Sequence, residues 1–284
     1  MPLVEQSLSD GLPGVAIGPS EGASTGVLVL AGSSGRVDAE RARLLAEYGA
    51  LALALRWFGG PGQSPGIREI PLETFTRAVD WLSGQGVTRI GVVGLSKGAE
   101  AALLLACHDA RIGGVVALSP SSVIWANVGP GLDGQNFPYR SSWTWRGQPL
   151  PFIPYDDSEP TDSSRGLVAF RPVYERSLRV FPERARLAAI PVERTDARIL
   201  LVVGEDDQMW PSAAFARALA KRGDAAGKRI ESVNHPGAGH RPYFPGEQTP
   251  APSVRYLYGG TVDADAALGA AAWPRALACL GLAQ

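Results

Sequence analysis

Apolar and polar positions follow two alternating patterns along this chain. Short uninterrupted apolar runs, typical of strands buried on both faces of a sheet, occupy residues 26–30, 51–55, 90–93, 114–118 and 198–203. Between them lie segments with helical spacing of apolar residues, at residues 39–48, 71–82, 99–106 and 211–222. This alternation predicts a mostly parallel central sheet with helices on both faces, which is an α/β fold.

Weaker patterns extend this prediction at both ends of the chain. Residues 14–19 and 229–233 have the composition of short strands, and residues 262–280 that of a helix interrupted at Pro274. Asp38 is placed to cap the helix that begins at residue 39, and Pro71 to open the helix that follows it.

The segment from about residue 121 to about residue 175 shows neither the apolar runs of a strand nor the apolar spacing of a helix. It is rich in Gly, Pro and aromatic residues, among them Trp125, Phe137, Tyr139, Trp143, Trp145, Phe152 and Tyr155. Because a long irregular segment is unusual in a compact domain unless it is functional, we interpret it as a lid inserted over an active site. A surface excursion packed by its own aromatic residues is the alternative.

Composition narrows the class of protein. The 284 residues are 45% apolar and 19% charged, which is typical of one large globular domain. With a net charge of −1, nothing in the composition points to nucleic acid or an anionic membrane as a bulk partner, and neither is expected. Two cysteines make neither a disulfide framework nor a metal cluster, so no metal or cofactor is expected. Without a long apolar run or a leader-like start, a cytoplasmic location is expected.

Residues 94–98 read Gly-Leu-Ser-Lys-Gly and join the apolar run at 90–93 to the helix at 99–106. G-x-S-x-G between a strand and a helix is the nucleophile elbow of α/β-hydrolases. The sharp turn strains the serine backbone and leaves no room for a side chain two residues away, so glycine is needed there. The pattern predicts an α/β-hydrolase fold with Ser96 as nucleophile and the Lys97 amide as an oxyanion donor.

A second oxyanion donor is expected from the loop at residues 31–35, which follows the apolar run at 26–30. In these hydrolases the second amide comes from such a loop. Ser33 and Ser34 are the candidates, and an ordinary strand-to-helix loop is the alternative.

A general base and an orienting acid should follow Ser96 in the order acid, then histidine. The chain has three histidines, of which His240 lies in a glycine-rich turn after the strand at 229–233. His235 is too close to that strand, and His108 lies at a helix end. Asp206 and Asp207 follow the run at 198–203; Asp207 is favoured as the acid, with Asp206 left open.

Three segments carry a family resemblance. They are Gly-Val-Val-Gly-Leu-Ser-Lys-Gly-Ala-Glu at 91–100, Gly-Glu-Asp-Asp-Gln-Met-Trp at 204–210 and Gly-His-Arg-Pro-Tyr-Phe-Pro at 239–245. These segments resemble the acyl-CoA thioesterase / bile acid-CoA:amino acid N-acyltransferase family. The resemblance spans most of the chain from about residue 26. It implies a triad of Ser96, Asp207 and His240 and an acyl thioester substrate.

Two departures from the family pattern matter. We expect one domain over residues 1–284, without the immunoglobulin-like domain that precedes the hydrolase domain in mammalian-type members. The amino-acid acyltransferases of the family use cysteine as nucleophile, whereas this chain has Ser96, which favours hydrolysis.

The sequence therefore predicts a serine hydrolase of acyl thioesters, coenzyme A-bound or carrier-bound, acting through an acyl-serine. Alternatives are an acyltransferase to an amine or hydroxyl, an ester or lactone hydrolase of the dienelactone-hydrolase type, and a non-catalytic binder. Monomer and dimer both remain open. The residues predicted to contact substrate are Trp57, Phe58, Trp125 and Trp210. The candidate cations for a coenzyme A headgroup, each with solvated surface charge as the alternative, are Lys97, Arg36, Arg56, Arg140, Arg146 and Arg241.

Overall fold

A computed structural model describes residues 2–9, 11–159 and 166–282. The strands of this part, in chain order, are β1 (Leu3–Leu8), β2 (Gly14–Pro19), β3 (Thr25–Leu30), β4 (Ala50–Leu55), β5 (Ile70–Pro71), β6 (Arg89–Leu95), β7 (Ile112–Leu118), β8 (Trp143–Trp145), β9 (Gln148–Pro149), β10 (Arg198–Gly204) and β11 (Ile230–His235). Eight of them form one sheet, in the order β1-β2-β4-β3-β6-β7-β10-β11. The strand β2 pairs antiparallel with β1 and β4, and the other pairs are parallel.

Helices cover both faces of this sheet, as predicted. They are α1 (Ala39–Glu47), α2 (Glu73–Gly84), α3 (Lys97–His108), α4 (Arg171–Val180), α5 (Pro182–Leu187), α6 (Ser212–Ala225) and α7 (Val262–Leu280). One core contains α2, α3 and α6 residues, and a second core contains those of α1 and α7. This is the α/β-hydrolase fold that the elbow sequence predicted.

The strand β3 shows why its apolar run is continuous. Val27 and Val29 belong to the core under α1 and α7, whereas Leu28 and Leu30 belong to the core under α2 and α3. Successive strand residues point to opposite faces, so a central strand with helices on both sides must be apolar at every position.

Three local predictions differ from the structure. Pro71 lies in β5, and the helix starts at Glu73. Asp38 is the N-cap residue of α1, as predicted, but its carboxylate makes no capping hydrogen bond and faces the guanidinium groups of Arg36 and Arg41. Finally, α7 continues through Pro274, because the residues after it are buried against the sheet and packing outweighs local preference.

The lid predicted at residues 121–175 is an irregular segment that we call the insert. It contains the short strands β8 and β9, which form a small separate sheet with β5, and it ends in the first turn of α4. Single bridges fasten it to the rest of the fold, such as the one between Val123 and Ala189. None of the helices in the described ranges has the length and hydropathy needed to cross a bilayer.

Candidate active site

Ser96 sits at the turn between β6 and α3 with φ of +57°. This left-handed backbone costs energy in any residue other than glycine. A Cβ on Gly94 would collide with the carbonyl of Gly98, and a Cβ on Gly98 would collide with the carbonyl of Leu30. Both glycines are therefore required for α3 to pass this close to β3 and β6.

The backbone amides of Ser96 and Lys97 lie at the start of α3. The Ser96 amide donates to the Leu118 carbonyl at the end of β7, at 2.9 Å. Lys97 is the first residue of α3, and amides in the first turn of a helix have no intrahelical acceptor. The Lys97 amide is thus suited to bind an oxyanion formed next to Ser96.

Asp207 lies at the carboxyl end of β10 and is 1% exposed. Its Oδ2 is 2.8 Å from Nδ1 of His240, and its Oδ1 accepts the amides of Met209 and Trp210 at 2.9 and 3.2 Å. The three contacts fix the carboxylate against the imidazole.

The neighbouring Asp206 points elsewhere. Its side chain is exposed and accepts the Gln208 side-chain amide at 2.7 Å and the Gly260 amide at 2.8 Å. Of the two carboxylates that the sequence left open, Asp207 is therefore the one in contact with His240.

His240 is 4% exposed and follows the glycine-rich turn after β11. Its amide donates to the Tyr258 carbonyl at 3.0 Å. With Nδ1 directed at a carboxylate, that nitrogen carries the proton, and Nε2 remains available as a base. The other two histidines, His108 and His235, end α3 and β11, where their rings contact nearby backbone atoms.

Ser119, directly after β7, connects the loops that carry these residues. Its amide donates to Val202 of β10 at 2.8 Å, and its hydroxyl donates to the His240 carbonyl at 3.0 Å. Its own carbonyl accepts the indole N–H of Trp210 at 3.1 Å. The sequence analysis missed this residue, since a serine at a strand end carries no signal of such contacts.

A cavity of about 660 Å³ opens at the carboxyl ends of these strands, and Ser96, Lys97 and His240 all line it. Much of its remaining wall comes from the insert, through Asn127, Val128, Gly129, Asn136, Phe137, Tyr139, Tyr155, Asp157, Glu159, Phe170, Val173 and Tyr174. The insert thus encloses the space in front of Ser96.

Ser33 and Ser34 also line this cavity and are exposed. Their loop passes directly beside the elbow, because a Cβ on Gly32 would lie 3.2 Å from Cβ of Ser96. The loop is therefore close enough to offer a second amide to an oxyanion at Ser96.

Of the four aromatic residues predicted to contact substrate, Trp210 lines the cavity. Trp57, Phe58 and Trp125 are buried in the same core as Trp210, but they do not line the cavity. The Trp57 ring packs 5.4 Å from that of Trp143, between ring centroids. Large aromatic side chains gain most from full burial, which explains why these three lie behind the cavity wall.

Lys97 is not a surface cation. Its ammonium lies 2.9 and 3.0 Å from the two carboxylate oxygens of Glu100. Burial lowers the pKa of Lys97 and raises the pKa of Glu100, and their mutual attraction opposes both shifts. Glu100 also accepts the indole N–H of Trp143 at 2.7 Å and the amide of Trp125 at 3.2 Å.

Of the other cations considered for a headgroup, Arg36 and Arg241 line the cavity, whereas Arg56, Arg140 and Arg146 do not. Within residues 2–9, 11–159 and 166–282, no three His, Cys, Asp or Glu side chains are grouped to hold a metal ion.

Known proteins resemble this chain in sequence. Human acyl-coenzyme A thioesterase 6 is 27% identical over 265 residues, covering 90% of this chain and 59% of the relative. Mouse bile acid-CoA:amino acid N-acyltransferase is 28% identical over 237 residues, covering 80% of this chain and 51% of the relative. The chain thus spans between half and three-fifths of the length of these two relatives.

Solved structures share the fold. A Klebsiella pneumoniae protein described as a candidate dienelactone hydrolase superposes with a TM-score of 0.56 at 15% identity, covering 98% of both chains. A Pyrococcus horikoshii acylaminoacyl peptidase superposes with a TM-score of 0.51 at 13% identity, covering 82% of this chain and 36% of that one.

The model of the family described as BAAT / Acyl-CoA thioester hydrolase C terminal matches residues 70–281. That match includes the elbow, the acid turn and the histidine turn, and the chain belongs to this family of α/β-hydrolases.

Proposed function

We propose that this chain is a serine hydrolase of acyl thioesters. The observation that carries the proposal is the contact of 2.8 Å between Asp207 and His240, together with the position of His240 on the same cavity as Ser96. The family to which the chain belongs, described by acyl-CoA thioester hydrolysis, supports the choice of thioesters among carbonyl substrates.

In the first step, the Ser96 hydroxyl attacks the thioester carbonyl carbon while Nε2 of His240 takes its proton. Asp207 keeps the other proton on Nδ1 and stabilises the imidazolium. The Lys97 amide and the amide of Ser33 or Ser34 donate to the oxyanion. The carbon–sulfur bond then breaks, His240 returns its proton to the departing sulfur, and an acyl-Ser96 ester and a free thiol result.

In the second step, water loses a proton to Nε2 of His240 and attacks the acyl-Ser96 carbonyl. The bond to the Ser96 oxygen breaks, and His240 returns the proton to that oxygen. The products are the free carboxylic acid and the original serine. His240 acts as a base and then as an acid in each step, so the cycle closes with only the thioester and one water consumed.

Intact mass after brief mixing with acyl thioesters tests the mechanism. The expected result is a mass increase of one acyl group on the wild type, with stoichiometric thiol release, and neither on Ser96→Ala. A circular dichroism spectrum confirms that the variant is folded. If simple esters acylate Ser96 while no thioester does, the thioesterase proposal is wrong and an esterase replaces it.

Transfer to an amine is the second candidate, because an N-acyltransferase matches this chain as well as the thioesterases do, at 28% identity. The decay of the acyl-enzyme separates the two. Decay at one rate with or without added glycine indicates hydrolysis, whereas acceleration by glycine with formation of the acyl amide indicates transfer.

A further inference from the structure

The insert lines one side of the cavity with four aromatic rings in contact. Between centroids, the Phe137 ring lies 4.9 Å from Tyr139, Tyr139 lies 5.3 Å from Tyr155, and Tyr155 lies 5.4 Å from Tyr174. All four residues line the cavity. We call them the insert arc.

A second series of rings on the same cavity includes the imidazole of His240. The Trp210 ring lies 5.7 Å from the imidazole of His240, which lies 6.0 Å from Tyr258 with the planes only 17° apart. Tyr258 is 6.3 Å from Tyr256, and Tyr256 is 5.8 Å from Phe170. These residues also line the cavity, and we call them the histidine arc.

The two arcs meet where Tyr174 lies 5.6 Å from Trp210, at an interplanar angle of 83°. The rings therefore form an unbroken series around the cavity that includes the imidazole of His240. The apolar aliphatic residues on the same wall are Leu95, Val128, Val173 and Met209.

Polar contacts at their outer ends hold several of these rings in place. The Tyr155 hydroxyl donates to the Ala126 carbonyl at 3.1 Å, and the Tyr139 hydroxyl donates to Asp157 at 2.7 Å. The Arg241 guanidinium lies 4.1 Å from the centroid of the Tyr258 ring. The faces and edges that the rings present to the cavity are thus formed before a ligand arrives.

Such a wall favours one class of acyl group. Fixed rings make offset-stacked or edge-to-face contacts with a flat aromatic ligand, and these contacts add to the effect of buried area. An alkyl chain gains free energy only from the apolar surface that it buries, and it loses the conformational freedom of each rotatable bond when it is confined. A rigid ring system loses little of that freedom.

We propose that the cavity selects planar aromatic acyl groups over linear alkyl groups of the same size. This inference rests on the proposed thioester chemistry of Ser96 and specifies its substrate class.

Carbon-matched pairs of coenzyme A thioesters test it: phenylacetyl with octanoyl, and 2-naphthylacetyl with dodecanoyl. Because an aryl group on the CH₂ next to the carbonyl makes a thioester somewhat more electrophilic, each kcat/KM is divided by the rate constant for alkaline hydrolysis of the same thioester before the members of a pair are compared. We expect kcat/KM to favour the aryl member by about tenfold or more. The alkyl members have more apolar surface to bury, so buried area alone would favour them. An equal or higher kcat/KM for the alkyl members therefore overturns the proposal.

Variants of Tyr174, where the arcs meet, provide an internal control. Tyr174→Phe retains the ring and should keep the aryl-to-alkyl ratio, whereas Tyr174→Leu should lower it about fivefold. Partial unfolding changes both rates equally, so the ratio reports only on selection. A ratio that Tyr174→Leu leaves unchanged contradicts the proposal.

Binding to Ser96→Ala separates this inference from the proposed function. If no thioester is turned over, the function fails, and calorimetry with 2-naphthylacetate and dodecanoate still decides the class of ligand. Tighter binding of the aryl acid supports the aromatic site. Equal or tighter binding of dodecanoate overturns it.

Discussion

The Lys97 ammonium and the Glu100 carboxylate form an ion pair of 2.9 Å that is sealed from solvent, one helical turn after Ser96. The carboxylate accepts from Trp125 and Trp143 of the insert as well. One buried side chain therefore joins the elbow helix to two points of the insert behind the cavity wall. Three groups donate four hydrogen bonds to this carboxylate, three of them to Oε1 and one to Oε2, and these contacts allow the charge to stay buried.

Replacing Glu100 should therefore destabilise the fold strongly. Glu100→Gln leaves the Lys97 ammonium buried without a counter-charge, and we expect a loss of about 3 kcal/mol in the free energy of unfolding. The double variant Lys97→Met/Glu100→Gln removes both charges and should recover at least half of that loss. Urea unfolding measures both, and a double variant less stable than Glu100→Gln would contradict the account.

The carboxylate of Asp207 should matter far more than that of Asp206. In Asp207→Asn the amide offers an N–H to Nδ1 of His240, which moves the ring proton to Nε2 and removes the base. We expect kcat for thiol release to fall by about 10³-fold or more. Asp206→Asn is the matched control, expected within about threefold of the wild type. Equal losses in the two variants would argue against Asp207 as the orienting acid.

Arg171, at the start of α4, should act as a positioning residue for the acid turn. Its guanidinium donates to the Asp207 carbonyl at 3.2 Å, and its amide donates to the Gln208 carbonyl at 3.0 Å. Since Arg171→Ala loosens the turn without changing the cavity wall, kcat should fall about tenfold with little change in KM. The exposed Arg179 on the same helix gives the control Arg179→Ala. A rise in KM alone would show that Arg171 serves substrate binding instead.

A single methyl group at the elbow should be enough to disrupt it. The Cβ of Gly98→Ala would overlap the Leu30 carbonyl, so α3 must move away, at a cost of about 2–3 kcal/mol. In the control, Gly84→Ala at the end of α2, the added Cβ has open space within the described part of the chain. That change should be neutral or stabilising by up to about 1 kcal/mol. Thermal unfolding compares the two, and equal midpoints would contradict the steric argument.

The buried strands were the most predictable part of the fold, because burial on both faces leaves a continuous apolar run in the sequence. The strand β1 was missed for the opposite reason: it lies at the sheet edge, and most of its side chains are exposed. The helix α4 was missed because its polar residues and its Pro172 follow an irregular segment with no clear start.

For the site, the order of the motifs predicted which loops meet at the cavity. The sequence could not predict which residue within a loop makes the contact. Asp206 and Asp207 are adjacent, and only the position of the Gly260 amide and of the imidazole separates them. Likewise, composition cannot distinguish an aromatic residue of the core, such as Trp57, from one of the cavity wall, such as Trp210. The catalytic roles of Ser96, Asp207 and His240 stay predictions until the variants are assayed.

The contacts of Ser119 have a consequence for how this protein can change over time. The insert begins two residues after Ser119, whose backbone and hydroxyl hold the strand of the acid and the turn of the histidine. The segment that shapes the cavity thus starts beside a residue that ties the acid strand to the histidine turn. Substitutions in the parts of the insert that, unlike Arg171, make no contact with the acid turn can reshape what the protein accepts while the spacing of its reacting groups is inherited intact.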